Sequence, residues 1–219
     1  MGRLIVIEGL DGAGKRTLTE GLTERLREGG RTVAHAAFPR YTADVHAELI
    51  AEALHGGHGD LGESVYGMAV LYALDRRAAA EALRADLAAH DVVLLDRYVA
   101  SNAAYGAARL HQDADGEFVR WTRELEIERF ALPRPDLHLL LRVPAEVAAS
   151  RAEHRERTET RRRDSFESDS SLQERCGAVY AELAEAGWWA PWRVIDGAER
   201  PDYAELAAEI TAMTPGFAR

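Results

Sequence analysis

Lys15 closes a glycine-rich run, Gly9-Leu10-Asp11-Gly12-Ala13-Gly14-Lys15-Arg16-Thr17, whose G-x4-G-K spacing is that of a phosphate-binding loop. A chain turning through such a run points successive backbone N–H groups into one concavity at the positive end of the next helix, and the lysine adds a mobile charge for the outer phosphates. The competing reading is an ordinary strand-turn-helix connection that happens to carry glycines. The apolar run Leu4-Ile5-Val6-Ile7 directly before the loop and the helical pattern directly after it favour the cradle. One position departs from the signature: Arg16 stands where Ser or Thr usually holds magnesium, and Thr17 comes one place late. A helix turns by about 100° per residue, so Thr17 cannot occupy the same site. Either other groups hold the metal or the arginine takes over part of the charge neutralisation.

Four further clusters could serve a second substrate. Phe38-Pro39-Arg40-Tyr41 follows an apolar segment, Tyr72 and Arg76 are one helical turn apart, Asp96-Arg97 ends another apolar run, and Ser101, Asn102 and Tyr105 lie one to two turns beyond. Residues i and i+4 share a helix face, so Tyr72 can offer a ring for stacking while Arg76 reaches the edge of whatever stacks there. Arg40 and Arg97 are donors suited to a second phosphate, distinct from the one the loop holds. Taken singly, each has a plainer role: Arg76 could pair with a carboxylate, Tyr105 could be core, and Asp96 could cap the next helix. A kinase acting on an alcohol needs a carboxylate base beside the acceptor, whereas a phosphate monoester is already an anion and needs cations to hold it. Arg40 after the second strand therefore points to a monophosphate acceptor.

The elements that must position these groups alternate along the chain. A strand over Arg3 to Glu8, the loop, a helix over Lys15 to Arg27, Gly29-Gly30 and a strand over Thr32 to Phe38 make a β-α-β unit. Helices are expected over Asp44 to Leu54, Ser64 to Ala89, Val99 to Leu110 and Glu117 to Phe130. Val92-Val93-Leu94-Leu95 reads as a parallel strand buried on both faces, Leu137 to Val143 as a fourth strand and Val194-Ile195 as the end of a fifth, with a last helix after Pro201. Strands separated by helices imply a parallel sheet covered on both sides, with ligands at the carboxyl ends of its strands.

With 219 residues, 47% of them hydrophobic, the chain is expected to form one domain. Its net charge of −10 argues against nucleic acid or an anionic membrane as partner and requires any polyanion site to be a local positive pocket. No apolar run approaches a membrane span and the first residues leave no room for a secretion signal, so a cytoplasmic protein is expected. Cys176 is the only cysteine and reads as a buried small hydrophobe. Residues 151–163 carry six arginines against three glutamates. A solvated helix face laced with ion pairs is one reading, and a lid bringing positive charge to a transferring phosphoryl group is the other and the favoured one.

The segments G-L-D-G-A-G-K, F-P-R-Y and L-D-R-Y-V-A-S-N-A-A-Y, with the arginine-rich stretch running into Arg163-Asp164-Ser165-Phe166-Glu167, resemble thymidylate kinase over nearly the whole chain. The mycobacterial form is especially similar, since it shares the arginine after the loop lysine. The resemblance implies an α/β P-loop fold of the nucleoside monophosphate kinase kind, three layers around a five-stranded parallel sheet, with an arginine-rich lid at about 151–165. It implies ATP-dependent phosphorylation of thymidine 5′-monophosphate to the diphosphate, for thymidine triphosphate synthesis, by a homodimer formed through the long helices. Lys15 and Arg97 would bridge donor and acceptor phosphates, with Asp96 and Asp11 beside them in the catalytic set. ATP would be held by Gly9 to Thr17 and by Arg151, Arg155, Arg157 and Arg161 of the lid. The acceptor would meet Phe38, Arg40, Tyr41, Ser101 and Phe166, with Asp11 near its sugar and phosphate, Tyr72 stacked on thymine, Arg76 on the base edge, Asn102 holding the base and Tyr105 where a ribose 2′-hydroxyl would go. Tyr72 stands where the family usually has phenylalanine, and Phe166 replaces a tyrosine of the mycobacterial form.

With Arg16 in the hydroxyl position, magnesium is expected on carboxylates and phosphate oxygens, with Asp11 and Glu167 as its ligands. His55 and His58 sit among glycines without a nearby third ligand and make a poor metal site. Another P-loop nucleoside or nucleotide kinase remains an alternative, as does a nucleotide-dependent switch. The second, however, has no use for two phosphate-holding arginines on the acceptor side.

Overall fold

The alternation of apolar strands and amphipathic helices resolves into five parallel strands in the order β2-β3-β1-β4-β5, in a computed structural model that describes residues 2–144, 146–148, 150–151 and 169–213. The strands are β1 (Arg3–Gly9), β2 (Val33–Ala37), β3 (Val92–Asp96), β4 (Leu137–Arg142) and β5 (Trp192–Asp196). The helices between them are α1 (Lys15–Glu28), α2 (Val45–Leu54), α3 (Val65–Ala89), α4 (Val99–Arg109), α5 (Glu117–Thr122), α6 (Ser170–Glu185) and α7 (Tyr203–Ala212).

β1 lies at the centre and is buried from Leu4 onward. Its side chains alternate between two cores, as the period of a strand requires. Ile5 and Ile7 join Leu18, Leu22 and Leu26 of α1 and the buried faces of α4, α6 and α7. Leu4 and Val6 pack on the other side with Ala79, Ala80, Leu83 and Leu87 of α3. Helices thus cover both faces, which is why β3 and β4 read as continuous apolar runs.

Register brings the working ends together. Ile7 of β1 lies beside Asp96 of β3, and Asp96 beside Ala37 of β2. The loop after β1, the Phe38-Pro39-Arg40-Tyr41 segment and the Asp96-Arg97 pair therefore leave the sheet at one edge, where a ligand site of an open α/β sheet is expected.

Helix starts follow capping chemistry. Asp44 and Ser64, expected as first residues of helices, are instead N-caps whose side chains accept from His46 N and Gly67 N. The larger difference lies after α5. The helix expected to continue to Phe130 widens into a π-helical turn over Arg123–Arg129, and Phe130 N donates to Leu125 O at 3.0 Å. α4 and α5 pack so closely that a Cβ on Gly106 would lie 1.9 Å from the Phe118 ring. Beyond this contact the wider coil turns Glu126 inward, where it is fully buried.

Candidate active site

A cleft of about 770 Å³ opens at this edge. Asp11, Lys15, Arg16 and Thr17 line one end, Tyr72, Arg76 and Asn102 the other, with Arg97 and Tyr105 among the residues between. Phe38, Tyr41, Asp96 and Ser101 also border it.

The loop is shaped by its glycines. Gly9 has φ +143°, and a Cβ there would fall 2.7 Å from the carbonyl oxygen of Leu141, so a side chain at this position would push β1 from β4. Lys15 is buried and its ammonium donates to the carbonyls of Gly9 and Leu10 at 3.2 and 3.0 Å. Burial, followed by the charge of Arg97, lowers its pKa. Those carbonyls are neutral partners, which an incoming phosphate oxygen can replace. Arg16, at the open side of the cleft, is mostly exposed and pairs with Glu20 at 2.9 Å. Arg151 donates to Gly197 O at 3.0 Å beside the loop but does not line the cleft.

Arg97 holds the middle. Its backbone is left-handed, φ 67°, an uncommon conformation for a non-glycine residue. The guanidinium donates to Asp11 Oδ1 at 2.7 Å, Ser101 Oγ at 3.2 Å, Tyr105 OH at 3.3 Å and Tyr180 OH at 3.5 Å. Tyr105 OH donates to the other oxygen of Asp11 at 2.9 Å. Burial alone would raise the Asp11 carboxyl, but the charges of Arg97 and Lys15 and these hydrogen bonds outweigh it and hold it far below the usual carboxylate range.

Beneath Arg97 lies a carboxylate not singled out in the sequence. Glu8 is fully buried, accepting from Tyr98 N at 3.0 Å, Ser101 Oγ at 2.6 Å and Tyr180 OH at 3.0 Å. Its burial raises its pKa. The signal was a lone acid closing the apolar run Leu4-Ile5-Val6-Ile7 immediately before the loop. Tyr180, from α6, gave none.

The far end is built on a second unforeseen acid. Arg76, 3% exposed, gives Nε and Nη2 to Glu126 at 2.6 and 2.8 Å. Burial disfavours this guanidinium, but Glu126 outweighs it and raises its pKa. Asn102 Nδ2 donates to the same carboxylate at 2.7 Å and to Ala69 O at 3.1 Å. Tyr72 packs beside Ile50, Leu54 and Met68 and keeps a face to the cleft.

Arg40 departs from expectation. Instead of facing the cleft as a phosphate donor, its guanidinium pairs with Asp75 at 2.8 Å and Asp44 at 3.0 Å, and its backbone N–H donates to Asp75 as well. Asp75 is buried on α3 beside Arg76, and the arginine that neutralises it is used to tie the loop after β2 to that helix. Arg155, Arg157, Arg161, Phe166 and Glu167, and with them the lid reading of 151–165 beyond Arg151, lie outside the described residues.

A model of the family described as thymidylate kinase matches residues 7–203. The chain belongs to the thymidylate kinase family. It is 53% identical over 208 residues to a thymidylate kinase of Mycobacterium tuberculosis, an alignment covering 94% of this chain and 96% of the relative. Thymidylate kinases of Xanthomonas campestris and Xanthomonas oryzae are 37% and 36% identical, each across 85% of this chain and 74% of their own length. The chain is accordingly an enzyme, a phosphotransferase with ATP as donor, and its five-stranded parallel sheet is that of the P-loop nucleoside monophosphate kinases.

No helix among the described residues of this kinase is long and apolar enough to cross a membrane. Among the same residues no group of three or more His, Cys, Asp or Glu could hold a metal ion unaided. Each Asp11 oxygen, expected to meet magnesium, is engaged by Arg97 or Tyr105. Asp96 Oδ1, at the end of β3, is buried with no hydrogen-bond partner among the described residues.

Proposed function

We propose that the cleft performs the family reaction, transfer of the terminal phosphoryl group of ATP to thymidine 5′-monophosphate, with the following division of labour. The loop amides and Lys15 hold the donor phosphates. Arg97, oriented by Asp11 and Tyr105, spans donor and acceptor phosphates where negative charge redistributes during transfer. The acceptor phosphate is an anion at neutral pH and attacks without a protein base, so Asp11 serves to orient and neutralise. Tyr72 stacks on the base, Arg76 and Asn102 read its edge, and the Tyr105 hydroxyl, held by Asp11, occupies the space a 2′-hydroxyl would need.

The carrying observation is that one cleft joins Lys15 to the Tyr72–Arg76–Asn102 group through Arg97. Magnesium fits this donor set as an ion brought with the phosphates: it commonly takes one or two carboxylates and completes its shell with phosphate oxygens and water. Asp96 and Asp11 would be its protein ligands, with Asp96 favoured by its unpartnered oxygen. When bound, the ion screens the charge of the donor phosphates. A homodimer in the cytoplasm completes the reading, and sedimentation at twice the chain mass would support the first part of it.

A coupled assay with ATP and magnesium over a panel of nucleoside monophosphates tests the function. Catalytic efficiency should run thymidylate, then deoxyuridylate, then deoxycytidylate far behind. Uracil lacks one methyl, worth about 1–3 kcal/mol of packing, whereas cytosine inverts the hydrogen-bonding edge. Preference for another base, or transfer to a nucleoside, would overturn the reading.

A further inference from the structure

We propose that Glu126 is a positioning residue that fixes the hydrogen-bond polarity with which Arg76 and Asn102 read the base; the inference rests on the base-reading role given to those two residues above. Glu126 lies on the π-helical turn, 0% exposed, and does not line the cleft. It acts on both readers at once, Oε2 accepting from Arg76 Nε and Oε1 from Arg76 Nη2 and Asn102 Nδ2.

The consequence for Asn102 follows from counting. An amide nitrogen has two hydrogens, and Nδ2 gives one to Glu126 and one to Ala69 O. Turning the amide over would set Oδ1 against two acceptors, so its orientation is dictated by the partners. Oδ1 is then the atom left for a ligand, and it can only accept. Arg76 has Nε and one hydrogen of Nη2 occupied, leaving the other Nη2 hydrogen and Nη1, which can only donate. Among the described residues nothing accepts from Arg76 Nη1 and nothing donates to Asn102 Oδ1. The carboxylate also cancels the arginine's charge, so this end of the cleft suits a neutral ring while Lys15 and Arg97 draw the phosphates.

A donor beside an acceptor matches a ring carbonyl adjacent to an imino N–H, the edge of thymine and uracil. Cytosine presents an amino group and a bare ring nitrogen at the same two places, so both contacts become like against like. Sites that leave buried hydrogen-bonding groups unpaired can reject the wrong partner by ~10⁴-fold, and two inverted contacts here should give at least ~100-fold. Glu126 supplies this without touching the base.

Two variants separate polarity from structure. Glu126→Gln replaces one acceptor oxygen with a donor, so that Arg76 loses a partner or Asn102 turns over and offers Nδ2 to the base. The thymidylate to deoxycytidylate ratio of kcat/KM should fall at least ~10-fold, mainly through KM for the monophosphate, with KM for ATP within about twofold of the parent. Glu126→Asp keeps a carboxylate and should hold the ratio within about threefold even where its KM rises. A purely structural Glu126 would lower efficiency on both bases in proportion in both variants, and an unchanged ratio in Glu126→Gln would overturn the proposal. Should that variant not fold, ¹⁵N spectroscopy of the parent enzyme decides. The Arg76 Nε–H signal should exchange slowly and stay so on adding thymidine monophosphate, while collapse to fast exchange would show that Glu126 releases Arg76 in the complex. A parent enzyme that does not phosphorylate thymidylate would instead sink the base-reading roles themselves.

Discussion

At the phosphate end Arg97 divides its guanidinium between Asp11 at 2.7 Å and three hydroxyls at 3.2 to 3.5 Å, whereas at the base end Arg76 commits two N–H groups to one carboxylate at 2.6 and 2.8 Å. Lys15 resembles Arg97, held by two carbonyls that a phosphate oxygen can displace. The difference matches what the proposed roles would ask of each end. A cation that follows charge from one phosphate to another needs partners it can exchange, and hydroxyls and carbonyls are cheap to leave. A cation that identifies an uncharged ring gains by staying still, and a bidentate buried carboxylate holds it there.

The largest effect should come from the exchanging cations. Lys15→Ala and Arg97→Ala should each lower kcat by at least ~100-fold, with smaller changes in either Michaelis constant, because the lost donors act most strongly on the transition state. Steady-state kinetics check this, and a change confined to KM would make the end an anchor and erase the contrast.

Arg76→Lys should do the reverse. Lysine keeps the charge for Glu126 but cannot hold two parallel hydrogen bonds and still present a fixed donor. KM for thymidylate should rise about tenfold, the loss of one charged hydrogen bond, with kcat within about threefold. A fall in kcat matching that of Arg97→Ala would mean that the base end also serves the chemical step.

Arg40 sharpens the comparison from outside the cleft. Arg40→Met should leave kcat within about threefold while lowering thermal stability, since Asp75 would stay buried without its cation; the cost should be about 1–3 kcal/mol. Loss of turnover at unchanged stability would restore it to the phosphate-binding group.

These residues also show what could be read in the chain. Lys15 and the loop were legible because a phosphate cradle is local: strand, glycines and helix start lie within 15 residues. The sheet was legible because strands buried on both faces leave continuous apolar runs. The ion pair of Arg40 was not legible because spacing after a strand says where the backbone goes and nothing of Asp75, 35 positions on, which holds the side chain. Glu126 was hidden twice over, being 50 positions from Arg76 and on a π-helical turn that moves it off the face a regular helix would give it.

The smallest effect on turnover, and the control for any pH profile of either end, lies in His138 on β4. Its ring is 0% exposed, stacked on Trp192 with centroids 4.3 Å apart, and neither ring nitrogen has a hydrogen-bond partner among the described residues. Burial lowers its pKa from 6.5 to about 3. Between those values the unfolded chain binds a proton that the folded protein refuses, so stability is full above about pH 6.5 and declines as pH falls toward 3. The loss should reach about 2 kcal/mol at pH 5. His138→Phe keeps an aromatic ring against Trp192 and removes the titration, so its melting temperature should fall less than the parent's between pH 7 and 5 while kcat at pH 7 stays the same. Equal acid sensitivity in the two proteins would shift the cause away from His138, and not to Glu8, whose raised pKa makes the folded protein bind a proton there more readily than the unfolded chain and so works in the opposite direction.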